Sequence, residues 1–240
     1  MLWARANRFP FAAMEVSLPG GRFRLDAAAA KPGRERVRYF CERNQCHRIR
    51  SATTAGPAVI FECKAARSDL LKDSMDFRTT LDRLAILAER RVLHESWLAA
   101  RAPHLCVREG LFEEFHRLQP KASHEYESLR LVLAEIDKLQ RRLFGRTKFS
   151  RLRAMRFADL HYLVTPPDLL EPYELPKGWG WLVPNGNILI ERVAAEAVRP
   201  PDEGRIILLQ RIALAGTRQI FAASGLPAWG ETDYQDARGF

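Results

Sequence analysis

The sequence predicts an α/β protein: a mixed β-sheet core with flanking helices and an inserted helical hairpin. Three observations lead there. Apolar and polar residues alternate between Met14 and Asp26, helical periodicity governs 75–101 and 124–144, and strand patterning returns at Leu160. The 240 residues are 47% hydrophobic and 10% aromatic, enough to fill a core, which excludes a disordered or collagen-like chain. No apolar run approaches the roughly 20 residues that cross a bilayer, and Arg5 and Arg8 lead into no long apolar segment. Export and membrane spanning are therefore not expected. The four cysteines, Cys41, Cys46, Cys63 and Cys106, are too scattered for a disulfide scaffold and fit a reducing, cytoplasmic compartment.

Each element follows from local pattern. Met14, Val16 and Leu18 alternate with Glu15 and Ser17, Pro19-Gly20-Gly21 turns the chain, and Phe23 and Leu25 alternate with Arg24 and Asp26, giving a β-hairpin. Lys31 to Pro57 is polar and reads as a long loop, and Ala58-Val59-Ile60-Phe61 then opens a strand apolar enough to be buried on both faces. Leu81, Leu84, Ala88 and Val92 mark one helix, and Leu129, Val132, Leu133, Ile136, Leu139 and Leu143 a second. Pro103 and Pro120 bound the connector that holds Gly110, Phe112 and Phe115. Residues 73–145 thus form an antiparallel helical hairpin, able to clamp a ligand or to build a homodimer. A helix over 149–156, a strand at 160–164 and an Asn185-Gly186 hairpin between Trp181–Val183 and Ile188–Ile190 complete the core. The expected domains are a discontinuous core of 1–72 and 146–199, the hairpin of 73–145, and a C-terminal helix over 204–222 with a frayed tail within 200–240.

Charge points toward a polyanion. Lys and Arg total 38 against 29 Asp and Glu, a net charge of +9, and the excess is almost all Arg. Such a balance suits nucleic acid, whose phosphates release counterions when neutralised. The chemistry gathers at the buried strand. Glu62 and Lys64 stand two apart and project from one face, while Cys63 points to the other, toward the core. Asp26 lies near the end of the preceding strand, and pairing of the two strands brings its carboxylate to the same patch. Two converging carboxylates repel each other unless a cation intervenes, which makes Mg²⁺ or Mn²⁺ the natural partner. An adjacent Lys can orient a water and offset charge on phosphorus.

This arrangement resembles the PD-(D/E)XK nuclease superfamily, with Asp26 in the Asp position and Glu62-Cys63-Lys64 as the E-x-K element. The string from Val59 to Asp73, VIFECKAARSDLLKD, is similar to the MmcB-like DNA repair endonuclease branch. So are Phe157 to Pro166, FADLHYLVTP, and the later ELPKGWG from Glu174 to Gly180. The resemblance covers 12–73 and 146–195. It implies a restriction-endonuclease-like fold and metal-dependent cleavage of DNA in repair. It further implies Asp26, Glu62 and the Cys63 backbone carbonyl as metal ligands, with Glu15 a further candidate, and Lys64 positioning the water. Arg24, Arg67, Arg146, Lys148 and Arg151 are candidate phosphate contacts.

Cys41-x4-Cys46-His47 has a zinc-like look but lacks an obvious set of further ligands, and ordinary thiols are the plainer reading. Two functions of other classes fit the same residues: a non-catalytic nucleic-acid-binding module on a nuclease fold, and a protein-interaction module working through the helical hairpin. An acidic metal cluster distinguishes the first, and an exposed apolar hairpin face the second.

Overall fold

The structure, a computed structural model, describes residues 2–70, 77–101 and 124–225. In chain order its elements are α1 (Leu2–Ala6), β1 (Phe11–Ser17), β2 (Arg24–Cys41), β3 (Cys46–Cys63), α2 (Arg67–Leu70), α3 (Phe77–Arg101), α4 (His124–Phe144), α5 (Lys148–Met155), β4 (Leu160–Val164), β5 (Gly180–Asn185), β6 (Ile188–Val193) and α6 (Asp202–Ala223). The fold is α/β. Six strands form one mixed sheet in the order β1-β2-β3-β4-β5-β6, antiparallel at both edges and parallel where β4 meets β3 and β5.

Contacts divide the chain into two units. The first, Met1–Arg67, Arg151–Leu169 and Gly178–Phe240, holds the sheet; the second, Ser68–Ser150 and Leu170–Lys177, holds α3 and α4. Within the second unit α3 and α4 pack on each other, with Arg83 Nη2 of α3 2.9 Å from Glu135 Oε1 of α4. The connector with Cys106 lies outside the described residues, as do Lys72 and Asp73 and the tail beyond Gly225.

The sheet is buried because its central strands are apolar on both faces. Val59 and Phe61 of β3 pack with Ala29, Tyr162 and Leu182, and Trp3 of α1 closes this cluster with ring centroids 5.3 Å from Phe61 and 5.4 Å from Tyr162. Ala58 and Ile60, which alternate with them, are buried as well. Asp159 anchors the start of β4: its Oδ2 accepts from Ala58 N at 2.8 Å, and its Oδ1 meets Arg205 Nη2 of α6 at 2.5 Å. Among the described residues α6 is the one helix long and apolar enough to cross a membrane by length and composition. It packs on β1, β2 and β3, buries Leu208 and Ile212, and donates from Gln219 Nε2 to Met14 O at 2.7 Å. The C-terminal helix is therefore part of the sheet unit rather than a separate region.

The expected loop from Lys31 to Pro57 is a β-ribbon. Strands β2 and β3 continue past the sheet as an antiparallel pair from Pro32↔Ala55 to Cys41↔Cys46, closed by a single 3₁₀ turn at Glu42–Asn44. Between the Ala30↔Ala58 and Pro32↔Ala55 pairs the register shifts, because Gly56 and Pro57 oppose Lys31 alone. That is a β-bulge, a place where a strand tolerates a proline. Neither β1 nor β4 reaches the ribbon, so among the described residues no third strand joins it. Its sequence misleads because hydrophobic alternation marks strands with one buried face, and this pair buries neither.

Candidate active site

The candidate residues sit where β2 and β3 leave the sheet core at the end opposite the ribbon. The antiparallel ladder reaches Ala27↔Phe61, and one residue further along each strand lie Asp26 and Glu62. Side chains alternate along a strand, so both leave the face of the directly paired Ala28 and Ile60. The Asp26 carboxylate is held by the backbone: its Oδ2 accepts from Cys63 N–H at 2.6 Å. Beyond β3, Lys64 N–H donates to Val164 O at 2.9 Å and extends the parallel contact of β3 with β4, which fixes where the Lys64 side chain begins.

Exposure runs opposite to the sequence expectation. Glu62 is fully buried, whereas Cys63, expected to face the core, is exposed. Strand β3 ends at Cys63, the last rung of its parallel ladder with β4 opposite Val164, and the Cys63 side chain alternates with that of Glu62 to the other face of the strand. Although the residue is exposed, its thiol is partly shielded from water, and that desolvation, then the negative charges of Asp26 and Glu62, push its pKa up, with Lys64 acting in the other direction. The two carboxylates and the ammonium thus lie within electrostatic reach of one sulfur.

The other candidates divide. Glu15 lies in β1 at φ 53° and pairs with Arg24, Oε2 to Nε 2.8 Å, both side chains exposed. That ion pair engages Glu15 and Arg24 with each other. Arg67 Nη1 donates to Leu169 O at 3.1 Å, anchoring the chain after β3. Arg146 and Lys148 belong to the helical unit and Arg151 to the sheet unit, Arg146 and Arg151 being exposed. Cys41 and Cys46 face each other across the last rung of the ribbon as free thiols. Among the described residues no group of three or more His, Cys, Asp or Glu gathers as a metal site, so Cys41, Cys46 and His47 do not assemble one.

Sequence reasoning passed over one of the chain's two concentrations of positive charge; the other, 141–156 with seven Lys and Arg and no acid, holds the candidates Arg146, Lys148 and Arg151. Between Lys31 and Ala55 stand seven Lys and Arg against two Glu, a net +5 of the chain's +9. The signal was available as Arg34-x-Arg36-x-Arg38 and Arg48-x-Arg50, a period of two written in charge rather than in apolar residues.

No protein-family model matches the chain, and no curated protein matches it. Among solved structures, a protein of unknown function from Silicibacter pomeroyi is similar at a TM-score of 0.43 and 12% identity, over 92% of this chain and 83% of that one.

Proposed function

We propose that the chain is a metal-dependent endonuclease that hydrolyses phosphodiester bonds in DNA. The observation that carries this reading is the placement of Asp26 and Glu62 one residue beyond the Ala27↔Phe61 pair of neighbouring strands, with Asp26 Oδ2 anchored by the 2.6 Å bond from Cys63 N–H and Lys64 following on the same chain segment. The donor set suits a hard cation: two carboxylates and a backbone carbonyl leave room for the waters that Mg²⁺ or Mn²⁺ retains. Asp26, Glu62 and the Cys63 carbonyl would hold the ion. When bound, it would supply positive charge at the scissile phosphate and ease deprotonation of a water. Lys64 would orient that water and offset charge on phosphorus, while the Cys63 N–H keeps the Asp26 carboxylate aimed. A role in repair rests on the MmcB-like resemblance, and a cytoplasmic location on the free thiols at Cys41, Cys46 and Cys63.

Full burial of Glu62 favours a second reading, a non-catalytic nucleic-acid-binding module in which that carboxylate serves the sheet. Incubation of wild type with plasmid, single-stranded and branched DNA in Mg²⁺, Mn²⁺ or chelator separates the two. Nicking that needs the metal is expected, with a loss of at least about 100-fold in Asp26→Asn and in Lys64→Ala. The two variants should then diverge on metal titration, because Lys64→Ala keeps both carboxylates and Asp26→Asn does not. Wild type that binds these DNAs and nicks none of them selects the second reading.

A further inference from the structure

The ribbon formed by Pro32–Cys41 of β2 and Cys46–Ala55 of β3 carries five Arg against one Glu and, among the described residues, pairs with no further strand. An uncovered two-stranded hairpin is marginal in water, yet this one extends ten rungs at about 3.3 Å each and leaves Phe40 49% and Ile49 68% exposed. Its register sorts the side chains. Arg34, Arg36, Arg38 and Phe40 share one face with their partners Thr53, Ser51, Ile49 and His47, and the Phe40 and His47 rings meet at 5.4 Å. Arg48 and Arg50 lie on the reverse face, where Arg50 sits over the Tyr39 ring at 5.3 Å.

We infer that this ribbon is an arm that lies in the major groove of duplex DNA, its Arg34-Arg36-Arg38 file reaching phosphates and base edges while Arg48 and Arg50 hold the backbone. The inference rests on DNA being the partner, as proposed above, and adds where and in what form DNA is held. Charge selects a polyanion, and dimension selects the form. The major groove of B-DNA, about 12 Å wide, admits a two-stranded ribbon, whereas the deep, narrow major groove of A-form RNA does not. Ser51 and Thr53 add hydroxyls on the Arg face that bond to bases or phosphates, and guanidinium is the group suited to bidentate contact with guanine.

The full chain is tested by fluorescence anisotropy in chelator, with a duplex DNA of about three turns, the same sequence as duplex RNA, and one of its single strands, across a salt series. Three proteins are compared: wild type, a triple variant with Arg34, Arg36 and Arg38 each changed to Ala, and a control with Arg78, Arg90 and Arg130 each changed to Ala. The control loses the same charge from α3 and α4. Wild type should prefer duplex DNA over duplex RNA. The ribbon variant should lose at least about tenfold in duplex affinity, and its salt slope should fall by about 3, because each phosphate contact contributes about 0.9. The control should change by less than about threefold. Equal losses in both variants, or equal wild-type affinity for duplex RNA, would overturn the arm while leaving a DNA-binding protein. A wild type that binds no DNA would overturn the DNA reading itself. Sedimentation of all three proteins adds a further check: a change of oligomeric state in the ribbon variant, with DNA affinity unchanged, would assign the ribbon to self-association instead.

Discussion

His161 shows how far a single side chain can be moved from its ordinary chemistry. It stands in β4 with no exposed surface and its ring centroid 5.3 Å from that of Trp179. Burial, and then the Arg153 guanidinium, lower its pKa to about 4, with a Leu152 backbone group and Asp159 offsetting part of the effect. The unfolded chain therefore takes this proton first as pH falls. The stability that neutral His161 provides is intact above about 6.5 and is lost as pH falls from 6.5 toward 4, by about 1.4 kcal/mol per unit. Urea denaturation at pH 7 and pH 5 should show this site's share as about 2 kcal/mol. His161→Phe should remove that share, and an unchanged pH dependence in the variant would disprove the assignment. At the candidate site the placement of Asp26 and Glu62 on adjoining strands was legible in advance, since it follows from the strand pattern alone. The burial of Glu62 was not, because it depends on what packs against the strand end from remote parts of the chain.

Among the elements, the bulge at the root of the ribbon has the most specific demand. A Cβ on Gly56 would stand 2.7 Å from Lys31 O and 2.8 Å from both C and O of Pro32, all backbone atoms that cannot swing aside. Gly56→Ala should cost about 1–3 kcal/mol through overpacking, measured by thermal or urea denaturation, and a neutral result would mean that the strands separate more easily than this contact implies. The same segment marks the boundary of what pattern reading can see. Strand β4, Leu160–Val164, is apolar, bounded by Thr165-Pro166-Pro167, and was legible to the residue; the β5–β6 hairpin was legible one residue early, since its turn falls on Gly186-Asn187 and Asn185 still pairs with Ile188. The halves of β2 and β3 inside the sheet were legible for the same reason. Their outer halves bury no face, so no hydrophobic period records them, and only the alternating arginines do.

In the whole molecule, charge and packing are distributed in opposite senses. The sheet interior gathers Leu163, Leu182 and Ile60 with no exposed surface, while more than half of the net positive charge stands on 25 residues between Lys31 and Ala55. Concentrated charge of this kind accelerates encounter with a polyanion as well as holding it. The continuity of β2 and β3 across the bulge has a consequence for amide exchange. One pair of strands spans two regimes: Ala58–Glu62 is flanked by β2 and β4 and buried, whereas 34–53, among the described residues, is paired only with itself and largely open to water on both faces. Exchange from the first stretch should require opening of the sheet, and exchange from the second only fraying of the hairpin from its turn inward. Native-state hydrogen exchange should therefore register a step of at least about 100-fold in protection at Gly56–Pro57, within a single β-strand. A smooth gradient along β3 would mean that the ribbon and the sheet open as one cooperative body. Duplex DNA, seated as inferred, would erase the step by slowing the outer amides and leaving the inner ones as they are.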